Sequence, residues 1–155
     1  MVVLAPYDGI AVGRWALESL AVPVLAHWSW ETDPCAVEVI KRHFQAVLHK
    51  GDFAGTSARQ VLQELEQEQL PENTVLVPLA GPPCKDHSRT RGEAAPGAEG
   101  AEGMKLGLFA KFVCDLIKAS RWQVRYLIEN VIPGNYRDAE AISEILGGSG
   151  PDGRN

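Results

Sequence analysis

Cysteine and glutamate are the two residue types here whose placement could do covalent chemistry. Cys84 ends the run Gly81-Pro82-Pro83-Cys84, directly after the strand-like stretch Thr74 to Ala80. Open α/β sheets place their chemistry at the carboxyl ends of strands. Proline fixes φ and restricts the residue before it, so the two prolines hold the sulfur in a narrow range of directions. A thiol presented that way can act as a nucleophile; a small buried hydrophobe at a strand end is the other reading of the same tetrapeptide. Glu129, in Glu129-Asn130-Val131, follows the last strand-like run, Gln123 to Ile128. Where those two strands neighbour one another, a thiol and a carboxyl face one cleft as nucleophile and acid–base partner.

Other acids fall at similar places. The first apolar run, Met1 to Ala5, leads into Tyr7-Asp8-Gly9-Ile10-Ala11-Val12-Gly13. A dinucleotide fingerprint needs glycines at positions 9, 11 and 14, and the chain has Gly9, Ala11 and Arg14, so a pyrophosphate site is weakly indicated. A glycine turn still lets a ligand approach the backbone closely. Glu31 follows the second strand, where a carboxylate can accept from both ribose hydroxyls. Asp52 follows the third and can accept from an adenine amino group. A turn and two carboxylates at three successive strand ends suit an adenosine compound without a pyrophosphate, S-adenosylmethionine above all.

The elements that must position these residues alternate. Strands are expected at 1–5, 23–30, 46–48, 74–79 and 123–128, with helices at 13–20, 34–44, 56–69, 106–119 and 138–146. Trp15, Ala16, Leu17 and Leu20 lie at helical spacing in the first helix, and Pro34 suits the first turn of the second. Such alternation implies a doubly wound parallel sheet with right-handed crossovers, in the order 5-4-1-2-3. The long irregular stretch from Lys85 to Lys105 follows the candidate nucleophile and suits a mobile lid.

The totals narrow the class. A chain of 155 residues with 45% hydrophobic and 23% charged residues can bury one core. Its three cysteines are odd in number and lack a Cys-x-x-Cys pair, which argues for a reducing compartment. Cys84 and His87 share no second pair with ligand spacing, so no metal is expected. No membrane-spanning run or leader is expected either, and the location expected is intracellular. The net charge of −5 leaves little general attraction for nucleic-acid phosphates.

Taken together, residues 7–13, Glu31, Gly51-Asp52, Gly81 to Cys84, Gly107-Leu108-Phe109 and Glu129 to Val131 resemble the catalytic domain of the cytosine-carbon-5 DNA methyltransferases. The likeness runs from Val2 to about Leu146, and Leu4 to Gly13 looks most like the de novo type. It implies a Rossmann-like S-adenosylmethionine-dependent methyltransferase fold with an incomplete, five-stranded sheet over 1–146, a disordered tail over 147–155, and a nuclear location. It implies that Cys84, as thiolate, attacks carbon 6 of a flipped-out cytosine, while Glu129 hydrogen-bonds the ring nitrogen and exocyclic amine. Cofactor contacts would come from Tyr7, Asp8, Gly9, Ile10, Ala11, Gly13, Glu31, Asp52, Phe53 and Pro82, and Asn130 would brace the cysteine loop. Lys85, Arg89 and Arg91 offer the positive charge a thiolate needs.

Two departures bear on partners. His87 stands where the family has an aromatic or leucine. After about Leu146 the family continues into a Gln-x-Arg-x-Arg strand, a target-recognition region and a segment that returns to the cofactor pocket, and this sequence holds none of them. The expectation is a cofactor-and-nucleophile half that grips DNA weakly alone: a truncated gene product, one piece of a split enzyme completed by a chain carrying the recognition region, or a degenerate relic. A catalytically silent S-adenosylmethionine-binding domain and an RNA cytosine methylase are the alternatives.

Overall fold

A computed structural model describes residues 1–83, 100, 103–130 and 144 of the chain. Its elements run β1 (Val2–Pro6), α1 (Val12–Ser19), β2 (Ala26–Trp30), α2 (Pro34–His43), β3 (Val47–His49), α3 (Ala58–Gln67), β4 (Val75–Ala80), α4 (Gly103–Ala119), β5 (Gln123–Val124) and β6 (Leu127–Ile128). The sheet order is β3-β2-β1-β4-β5, with β6 also against β4, and every pairing is parallel. This is the α/β architecture the alternation implied. The last helix expected, 138–146, and the tail, 147–155, lie outside the described residues save for Glu144.

The expected fifth strand is two short pieces, and Pro78 accounts for the gap. Arg125 N–H donates to the Leu76 carbonyl and Glu129 N–H to the Ala80 carbonyl, each at 2.9 Å. Alternate β4 residues therefore turn their backbone groups toward β5 and β6, and Pro78 is one of them. It has no N–H to give, so the ladder opens over Arg125 and Tyr126. On the β1 side the pairing runs through Pro78 without a break, Val2 to Leu4 lying against Leu76 to Pro78.

One face of the sheet carries the main core. Val2 and Leu4 of β1, Trp28 and Trp30 of β2, and Leu76 and Ala80 of β4 pack with Val61, Leu62 and Leu65 of α3. Phe109, Phe112, Val113 and Leu116 of α4 complete the layer. Both helices show the spacing that puts such residues on one stripe. Ser57 starts α3 with a capping box, its hydroxyl accepting from Gln60 N–H while Gln60 bonds back to Ser57. The right-handed crossover rule sends α1 and α2 to the opposite face. Asp33 caps α2, accepting from Cys35 N–H at 2.7 Å, with Pro34 in the first turn as expected.

That opposite face departs from expectation. No residue of α1 is buried, and Trp15 and Leu20, two of the apolar residues at helical spacing, are exposed. Helix α4 begins at Gly103 rather than Leu106, which shortens the expected irregular stretch. Among the described residues, no helix is long and apolar enough to cross a membrane.

Candidate functional site

Between β1 and α1 the backbone takes an unusual course. Tyr7, Gly9 and Ala11 adopt left-handed conformations, with φ of 56°, 57° and 60°, and only one of the three is glycine. A bulky residue such as Tyr7 at positive φ is strained, by about 1–3 kcal/mol, and persists only where its surroundings hold it. They do so here. Tyr7 N–H donates to the Trp30 carbonyl (2.8 Å), Gly9 N–H to Glu31 Oε2 (2.8 Å) and Ala11 N–H to the Asp8 carbonyl (3.0 Å).

The turn delivers the chain to the start of α1, which differs from those of α2 and α3. Asp33 and Ser57 cap α2 and α3 with side chains, while α1 is preceded by Ala11 and has no side-chain cap. Its first N–H groups and the positive end of its dipole are left for something else. They open on a cleft of about 740 Å³, lined by Tyr7, Asp8, Gly9, Ile10, Val12, Gly13 and Ala16 on one side and by Leu79, Ala80, Gly81, Leu127 and Glu129 on the other. That lies within the roughly 300–1,000 Å³ of small-molecule sites. It sits at the carboxyl ends of β1, β4 and β6, where open α/β sheets bind ligands. Gly13 lets α1 come close, since a Cβ there would meet Leu79 Cδ1 at 2.9 Å.

Six of the expected site residues line this cleft: Tyr7, Asp8, Gly9, Ile10, Gly13 and Glu129. Glu129 also lies against the start of the cysteine loop, because a Cβ on Gly81 would come within 3.4 Å of Glu129 Oε2. Asn130 reaches the same loop, its Nδ2 standing 3.5 Å from the Pro82 carbonyl. Cys84, with Lys85, His87, Arg89 and Arg91, lies outside the described residues.

The remaining expected residues are placed differently. Glu31 stands behind the turn with its carboxylate largely committed: Oε2 takes Gly9 N–H, and Oε1 takes Thr32 N–H (2.7 Å) and Asp33 N–H (2.8 Å). A carboxylate offers about four lone-pair sites. Three are in use, so room remains for one ribose hydroxyl rather than two. Ala11 is buried beneath the turn, and Pro82 is buried beside the cleft rather than lining it. Asp52 is exposed and accepts from Ala54 N–H (3.0 Å), away from the cleft wall. Phe53 belongs to the core, edge-on to Phe112 (5.2 Å between ring centres), Tyr7 (5.6 Å) and Trp30 (5.8 Å). Its reach to the site is indirect, as a prop under the Tyr7 ring.

The sequence reading missed His27. Its Nε2 lies 3.0 Å from Asp8 Oδ2, beneath the turn and buried. The signal was present in Ala26-His27-Trp28-Ser29-Trp30, where a strand buried on both faces sets polar residues on one of them. His49 of β3 lies near the same pair, and its pKa is lowered by burial first and by Lys41 second.

The chain matches no protein-family model, and no curated protein matches it either.

Proposed function

We propose that the cleft holds S-adenosylmethionine and that the chain carries the cofactor-and-nucleophile part of a cytosine-carbon-5 methyltransferase acting on DNA. The observation that carries the proposal is the uncapped start of α1, opening on a cleft at the carboxyl ends of β1 and β4. A zwitterionic adenosyl compound suits such a cleft. Its carboxylate would meet the free N–H groups of α1, and its ribose would meet the remaining acceptor site of Glu31. Tyr7, propped on Phe53, offers a ring face beside the adenosyl group. When bound, the cofactor supplies an electrophilic methyl group.

In the proposed reaction Cys84 adds as thiolate to carbon 6 of an extruded cytosine, and Glu129 steadies the ring as it loses aromaticity. Loss of the carbon-5 proton after methylation expels the thiolate. Asn130, through the Pro82 carbonyl, would keep the cysteine loop beside Glu129. The net charge of −5 favours a second reading, a cofactor-binding domain without base chemistry.

Calorimetry with S-adenosylhomocysteine tests the pocket. Binding is expected at sub-millimolar to millimolar ligand, weakened in Glu31→Ala by about 1–3 kcal/mol, the scale of a lost charge-assisted hydrogen bond. No heat at millimolar ligand would count against the site. A duplex carrying 5-fluorocytosine separates the two readings, because its fluorine blocks the final proton loss and traps the thiol adduct. An adduct that forms, alone or with a complementing chain, and vanishes in Cys84→Ala supports the enzyme.

A further inference from the structure

Beneath the turn lies a buried pair that the proposed reaction does not use. His27 is 1% exposed, on the face of β2 away from the aromatic core, and the Asp8 side chain above it is 5% exposed. Their 3.0 Å separation is close, yet it falls short of hydrogen-bond alignment. Neither His27 nitrogen has an aligned partner, nor does Ser29 Oγ or His49 Nδ1 nearby. Parallel strands covered on both faces are filled by apolar side chains, which would avoid that cost. This imidazole therefore contributes something other than packing.

Asp8 shows what that can be. Asp8 lines the cleft, its buried carboxylate touches His27, its carbonyl receives Ala11 N–H, and its neighbour Gly9 is tied to Glu31. Whatever holds the Asp8 carboxylate down holds the left-handed turn on which the cleft is built. We propose that His27 is a positioning residue for the cleft: through Asp8 Oδ2 it fixes the turn at residues 7–9, and its protonation sets how firmly the turn, and hence a bound ligand, is held. An imidazolium grips a carboxylate more strongly than a neutral imidazole does. Among the described residues, His49 of β3 interacts with both members of the pair: His27 disfavours a charge on it and Asp8 favours one, while Lys41 of α2 also disfavours it.

The proposal rests on the cleft being a ligand site, so its test carries one readout that needs no ligand. Hydrogen exchange at the Gly9 amide, corrected for intrinsic rate, is followed from pH 5.5 to 8, together with the affinity for S-adenosylhomocysteine. Protection and affinity are both expected to rise several-fold as pH falls. Both should become independent of pH in His27→Phe. His27→Gln, which keeps an N–H donor, should restore part of the protection without the pH dependence, and His49→Gln should leave the profile in place. Should His27→Phe fail to fold, Asp8→Asn is expected to flatten the same profile. A wild-type profile that survives in His27→Phe or Asp8→Asn, or that disappears in His49→Gln, overturns the proposal. Failure of the wild type to bind S-adenosylhomocysteine would instead remove the cofactor reading, with Gly9 exchange still deciding the role of His27.

Discussion

The two faces of the sheet are built on opposite principles. On one, α3 and α4 seal Trp28, Trp30, Phe53, Phe112 and the aliphatic residues around them into a single apolar layer. On the other, β2 presents His27 and Ser29, β4 presents the half-buried Val75, Val77 and Leu79, and α1 buries nothing. Close packing in the first layer supplies the folding energy. The second layer carries the open cleft, the strained turn and the unaligned polar atoms of Asp8, His27, Ser29 and His49, and the last two cost stability. Stability on one face is what lets the other carry those costs.

Substitutions on the two faces should differ accordingly. Phe109→Ala, at the centre of the sealed layer, is expected to cost about 3–5 kcal/mol in urea unfolding. A cost below 1 kcal/mol would mean that the layer is not the core. Gly9→Ala should cost about 1–2 kcal/mol despite open space around it, because φ of +57° brings the alanine Cβ too close to the following carbonyl. The same denaturation series should find Gly9→Asn milder, since asparagine tolerates that conformation.

His49 adds a dependence on pH that belongs to the polar face alone. Its folded pKa lies below the ordinary 6.5, through burial first and Lys41 second, so the folded state binds its proton less readily than the unfolded chain. Its contribution is therefore neutral above about pH 6.5 and becomes destabilising as pH falls below that value. Stability measured between pH 7.5 and 5.5 should fall less steeply in His49→Gln. The smallest effect is expected at Trp15, 64% exposed, where Trp15→Ser should stay within about 0.5 kcal/mol. A loss of several kcal/mol there would show that α1 is covered in solution.

The sheet was legible because hydrophobic runs and turns alternate plainly, and the crossover rule leaves one sensible order for them. The break in the fifth strand was not. Pro78 is visible in the sequence, but which neighbour its missing N–H faces depends on register, which is fixed only when strands pair. Trp15 and Leu20 have the spacing of a buried stripe, and spacing does not say whether anything lies opposite. At the site, the glycine turn and Glu129 lie on the cleft wall because each directly follows a strand. Glu31 and Phe53 also follow strands, yet the backbone amides of residues 9, 32 and 33 claim one and the aromatic core claims the other. His27 escaped notice because a lone histidine in a strand carries no motif, and its meaning comes only from Asp8, which the fold brings across from β1.

The central claim is that ligand binding belongs to the polar face, at the turn and the ends of β4 and β6. Titrating uniformly ¹⁵N-labelled protein with S-adenosylhomocysteine tests it residue by residue. The amides of Gly9, Gly13 and Gly81 are expected to shift together, with those of α3 on the sealed face unmoved. Stationary amides at Gly9 and Gly13 in millimolar ligand, or shifts confined to α3, would contradict it.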